Sequence, residues 1–139
     1  MADNFQVTEG AGVIVATDYV GTAHFQKIKR ARGMDGKEAS DITFAPIDCS
    51  SSGPNTIVAA DATKKIRVIG YVLTASAAVN ARWKRAATNL SGLLYLDTKG
   101  GVSHNCEDGA LETAINEALV LDLSSAVAVG GHVAYVKEA

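Results

Sequence analysis

Lys65-Ile66-Arg67-Val68-Ile69-Gly70-Tyr71-Val72-Leu73-Thr74-Ala75 is the clearest secondary-structure signal in the chain. Read as a strand, one face carries Ile66, Val68, Gly70, Val72 and Thr74, and the other Arg67, Ile69, Tyr71 and Leu73. Both faces are largely apolar. A strand with one side in water alternates apolar and polar residues, so this pattern predicts a strand covered on both sides, by a second sheet or by another subunit. The flanking segments agree with a β reading. Val79, Ala81 and Trp83 alternate with Asn80, Arg82 and Lys84, as in a half-exposed strand. Upstream, Thr56 to Ala60 reads as a strand and Ala62 to Lys65 as a turn. Downstream, Leu93 to Leu96 is short and apolar, and Lys99-Gly100-Gly101 reads as a hairpin-type turn. Leu119 to Leu123 and Val127 to Val136 supply the closing strands, with Gly130-Gly131 marking a bulge or tight turn. Leu111, Ile115, Ala118 and Leu119 recur at near-helical spacing, which predicts a loop with a short helical turn over Glu107 to Leu119.

The first part of the chain is less regular. Val13 to Ala16 reads as a short strand, Asp18 to Gly21 as a turn or loop, and His24 to Arg32 as a basic, strand-like run. Ile42 to Phe44 predicts another short strand, ended by Pro46. Cys49-Ser50-Ser51-Ser52-Gly53-Pro54-Asn55 is the most linker-like stretch, because small polar residues with Gly and Pro favour turns and build no core. A boundary there divides the chain into 1–54, an extended N-terminal arm with short strands, and 55–139, a β domain. Short strands at regular spacing, joined by turn residues, predict an all-β fold, a β-sandwich of jelly-roll type.

Composition narrows the function classes. The 139 residues are 47% hydrophobic but only 6% aromatic, so Ala and Val supply much of the apolar content, and neighbouring subunits are a candidate source of added stability. A net charge of −2 lacks the basic excess of a nucleic-acid binder. Cys49 and Cys106 are too few for a disulfide framework and read as reduced thiols. The acidic, polar start MADNFQVTEG has no signal-peptide pattern, and no apolar run approaches the roughly 20 residues of a membrane helix.

Catalytic and metal motifs are missing. No Ser lies in a G-x-S-x-G context, and no P-loop, dinucleotide fingerprint or H-E-x-x-H occurs. His104-Asn105-Cys106, with Cys49 or Glu107, is the best zinc candidate, but its spacing matches no standard pair. The expectation is no enzyme activity, no metal and no cofactor. Basic residues are more concentrated. Lys27, Lys29, Arg30 and Arg32 share one run, and Lys64, Lys65, Arg67, Arg82, Lys84 and Arg85 fall on later strands and turns. They form either a docking face for an acidic partner or solvated edges that discourage aggregation.

Val7-Thr8-Glu9-Gly10, Ala16-Thr17-Asp18-Tyr19-Val20-Gly21 and His24-Phe25-Gln26-Lys27-Ile28-Lys29 together resemble the N-terminal pattern of tailed-bacteriophage virion proteins. Further similar stretches follow at Asn55 to Ala60, Lys64 to Val68, Leu90 to Leu93, Gly100 to Val102, Glu112 to Leu119 and Ala126 to Val136. The resemblance is to the capsid decoration, or cement, proteins. It implies a homotrimer on the outer capsid surface of the virion, made in the host cytoplasm, with the major capsid protein as partner and no nucleic acid or membrane contact. On this reading the capsid contact falls to Phe5, Val7, Val13, Val15, His24, Phe25, Lys27, Lys29, Arg30 and Arg32. The trimer contact falls to Ile69, Tyr71, Leu73 and Tyr135. A head-fibre or tail component that adheres to a host surface is the alternative, and would require exposed aromatics on the distal loops.

Overall fold

The computed structural model describes the backbone of residues 17–20 and 23–26, and residues 42–105, 109 and 111–139 with their side chains. The chain divides into two units, Met1–Arg30 and Ala31–Ala139. In the first, β1 (Thr17–Val20) and β2 (Ala23–Gln26) pair antiparallel, Val20 opposite Ala23. The sequence reading of Asp18 to Val20 as a turn or loop is thereby corrected: Tyr19 and Val20 are strand formers and extend the ladder.

The second unit is all β: β3 (Thr43–Cys49), β4 (Gly53–Val58), β5 (Lys65–Ala75), β6 (Val79–Arg85), β7 (Thr88–Asn89), β8 (Leu94–Leu96), β9 (Gly101–Asn105), β10 (Leu111–Glu112), β11 (Leu119–Leu123) and β12 (Val129–Glu138). They form two antiparallel sheets. One runs β10-β5-β12-β3 with β9 also on β5; the other runs β4-β11-β6-β7 with β8 also on β6. The main pairings are nested: β3 with β12, β4 with β11, β5 with β9, β6 with β8. The chain is thus laid out like one long hairpin rolled up until its two arms alternate between sheets. One hydrophobic cluster lies between them, with Val58, Trp83, Leu119 and Leu121 from one sheet and Ile66, Leu73, Val129 and Val133 from the other. The arrangement is a β-sandwich.

The deciding stretch owes its two-sided apolar pattern to a bulge. In the β5–β12 ladder Ala134 faces Gly70 but Tyr135 faces Val68, so Ile69 is an extra residue on β5. The bulge shifts the alternation by one. Ile66 and Val68 point into the core before it; Tyr71, Leu73 and Ala75 do so after it. The opposite face then reads Arg67, Gly70, Val72 and Thr74, which is half polar.

Several expected boundaries shift as well. Residues 42–54 belong to the sandwich, because β3 and β4 are edge strands of opposite sheets and Ser50 to Ser52 carries the chain between them. The division at Pro54 falls inside β4; the structural division follows Arg30. Pro46 does not end its strand. It sits within β3, an edge strand, where a missing N–H is tolerated. Lys99-Gly100-Gly101 does turn, with Gly100 N–H donating to Asp97 O at 2.9 Å, but it joins β8 in one sheet to β9 in the other and makes no hairpin. The expected helical turn before Leu119 is a short strand and a turn, and no helix occurs among the described residues. Thr113, buried there, takes the amide of Ile66 on its hydroxyl at 2.9 Å.

Candidate functional surfaces

The residues assigned to a trimer contact lie inside the subunit. Ile69, Tyr71, Leu73 and Tyr135 are 5, 8, 0 and 9% exposed, and the last three belong to the central cluster. The Tyr71 ring meets Trp83 with centroids 5.3 Å apart and tilted by 60°. Burial pushes the Tyr71 phenol above its ordinary value, while the nearby indole of Trp83 acts in the other direction. That indole N–H is buried and meets no full hydrogen-bond acceptor. Tyr71, Leu73 and Tyr135 are used up in holding the two sheets together, and Ile69, buried as well, offers a partner little surface.

Of the residues assigned to the capsid, Phe5, Val7, Val13, Val15, Lys27, Lys29, Arg30 and Arg32 lie outside the described residues. His24 and Phe25 are in β2, opposite Tyr19 and Asp18.

The later basic residues do not form a free positive face. Lys65 reaches Glu112 at 3.2 Å, and Arg67 bonds Glu112 at 2.9 Å and Glu138 at 2.9 Å. Lys84 pairs with Asp122 at 3.3 Å and Arg85 with Glu117 at 3.5 Å. Most of this charge is met within the chain. Exposed pairs of this kind add at most about 1 kcal/mol each. The Arg67–Glu138 pair differs, since Glu138 is only 1% exposed. A carboxylate removed from water this far needs its cation.

The candidate zinc group does not assemble among the described residues. His104 is exposed on β9, its ring 5.7 Å from Tyr71, and His132 is exposed on β12, its ring 6.3 Å from Phe44. No group of three His, Cys, Asp or Glu side chains converges among the described residues, and Cys106 and Glu107 lie outside them. Cys49 is a buried free thiol. Desolvation, with the Asp48 charge adding to it, pushes its pKa up and holds it in the unreactive protonated form.

What remains available is surface. Four large hydrophobic residues are exposed among the described ones: Phe44, Leu93, Tyr95 and Ile115. Leu93 and Tyr95 line an open cleft of about 440 Å³ at the margin where β8 and β9 separate, with Leu94, Leu96 and Val102 also in its wall. A second hollow of about 240 Å³ has Gly70, Val72, Ser103 and Ala134 among its lining and His132 beside it. The sequence reading took Leu93 to Leu96 as uniformly apolar. Strict alternation separates it into Leu96, buried, and Tyr95, 76% exposed. No protein family, curated protein or solved structure matches the chain.

Proposed function

We propose that this protein is a capsid decoration protein of a tailed bacteriophage, with a sandwich of jelly-roll type docked on the outside of the assembled head. The observation that carries this reading is the nested pairing of β3 with β12, β4 with β11, β5 with β9 and β6 with β8. Eight strands nested in this order suit a jelly roll, an architecture used in viral capsid domains. A fold hosts many functions, so the reading also leans on the sequence resemblance to virion proteins. The separate Met1–Arg30 unit supports the idea of a docking arm. Several such arms on a homotrimer would multiply a weak contact with the major capsid protein, provided geometry lets them engage together. Binding only to the expanded lattice would stabilise that lattice by mass action.

A trimer would use surfaces other than Ile69, Tyr71, Leu73 and Tyr135, because those are buried in the protomer. The adhesion reading gains no support from the described residues. Their two large exposed aromatics, Phe44 on β3 and Tyr95 on β8, sit on different sheets and form no single patch. Co-sedimentation with phage heads stripped of this component tests the proposal. Saturable binding to expanded heads, absent with unexpanded procapsids, is the expected result. Binding to isolated tails, or to no part of the particle, would overturn it.

A further inference from the structure

A sandwich has sheet edges, and an unguarded edge pairs with other chains; proteins blunt theirs with proline, charge, bulges or very short strands. Nearly every edge here is blunted. The edge strand β3 carries Pro46 and Asp48. The edge strand β4 carries Pro54, and Ile57 makes a register break against β11. These are the only two prolines in the chain. The strands β7, β8 and β10 are two, three and two residues long. The exception is β9, Gly101-Val102-Ser103-His104-Asn105: five residues with no proline, no Lys, Arg, Asp or Glu, and an unbroken register against β5.

Ladder phase shows which of its groups are free. Ala75 N–H donates to Gly100 O at 2.9 Å, and from there the register runs Thr74–Gly101, Leu73–Val102, Val72–Ser103. Bonded and non-bonded pairs alternate in an antiparallel ladder, so Gly101, Ser103 and Asn105 turn their backbone N–H and C=O groups outward. Three donors and three acceptors thus line an exposed edge.

We propose that β9 is a self-association edge, where a second copy of this chain pairs antiparallel across a two-fold axis through Ser103. The register is self-complementary. Ser103 meets Ser103, Gly101 meets Asn105, and Val102 meets His104, so every outward donor finds an acceptor. Because β9 carries no fixed charge, no like charges face each other across the axis, whereas β3 paired with itself would crowd Asp48. The contact also brings together the two copies' β8–β9 margins, where Leu93 and Tyr95 are exposed beside the cleft. Two five-stranded sheets join into one continuous sheet, and two-fold closure stops growth at the pair. The inference goes beyond the decoration reading and does not depend on it: it joins two copies whether or not each belongs to a trimer.

Sedimentation of the full-length chain, against Ser103→Lys, tests it. The substitution places two ammonium groups opposite each other at the axis, on a side chain that is exposed in the single copy. The wild type should have twice the mass of the variant across a concentration series, with both retaining the same β circular dichroism. Ser103→Cys in a Cys106→Ser background should form an intermolecular disulfide on mild oxidation, because paired Cα atoms in a ladder lie within disulfide reach. Equal masses for wild type and Ser103→Lys, or no intermolecular cross-link in the Ser103→Cys variant, would overturn the proposal. Head binding is measured separately, so its failure is distinguishable from failure of the two-fold contact.

Discussion

Gly130 and Gly131 are neighbours in β12 and have opposite requirements. Gly131 has φ +146°, and a Cβ built on it lies 1.9 Å from Val72 O, so no side chain fits. Gly130 has ordinary φ, and its nearest neighbour would be 3.8 Å away. Gly131→Ala should therefore cost on the order of 2–3 kcal/mol or more in a urea titration. Gly130→Ala should be neutral, or stabilise by up to about 1 kcal/mol through the unfolded chain. Comparable midpoints for the two variants would contradict this account. Cys49 and Tyr71 give a pH prediction. Both hold their protons more tightly when folded, because burial disfavours the charged forms. The stability this contributes is present at neutral pH and is lost as alkaline pH begins to ionise the unfolded thiol and phenol. Unfolding midpoints should therefore drop between neutral and strongly alkaline pH, and Cys49→Val should shallow that drop. A midpoint that is flat in both proteins would exclude the linkage.

At the scale of the element, the bulge at Ile69 lets β5 bury residues on both parities. Ile69→Ala should destabilise by about 2–5 kcal/mol, the usual cost of truncating a buried side chain. Deleting Ile69 removes the bulge itself, after which Ile66, Val68, Tyr71, Leu73 and Ala75 share one face in strict alternation. The deletion should therefore cost no more than the truncation in denaturant unfolding. A deletion far more damaging than Ile69→Ala would show that the bulge does more than set the phase of the strand. The same strand carries the buried ion pair. Arg67→Leu takes this guanidinium from Glu138, and breaking such a pair costs on the order of 3–5 kcal/mol. A change below about 1 kcal/mol would place the pair with the weak surface bridges.

For the whole molecule, the nested strand order requires contacts between distant parts of the sequence: β3 must find β12 to complete one sheet, and β4 must find β11 to complete the other. Such topologies fold slowly because loop closure precedes any reward. The Ala31–Ala139 unit contains the entire sandwich and its core. A fragment of residues 31–139 should melt cooperatively and, on the decoration reading, bind expanded heads more weakly than the full chain. A fragment that does not fold would show that the first unit supports the sandwich. Tyr71→Asp is a poor test of assembly, since it buries a charge in the protomer core and should unfold the subunit itself.

The all-β class was legible in the sequence, as was the inward face of β6, where Val79, Ala81 and Trp83 are 4, 0 and 0% exposed. Period-two alternation and turn residues are local properties, and local chemistry records them. The sequence reading failed where the outcome depended on pairing. A bulge is defined against the partner strand, so β5 looked two-sided when read alone. Pro46 looked like a strand end because its tolerance depends on β3 being an edge. The run Ser50 to Ser52 looked like a domain boundary because a crossing between sheets and a linker use the same small polar residues. Whether Tyr71 and Tyr135 faced a neighbour or their own core was likewise decided by tertiary structure alone, because an apolar residue records that it must leave water but not which surface will cover it.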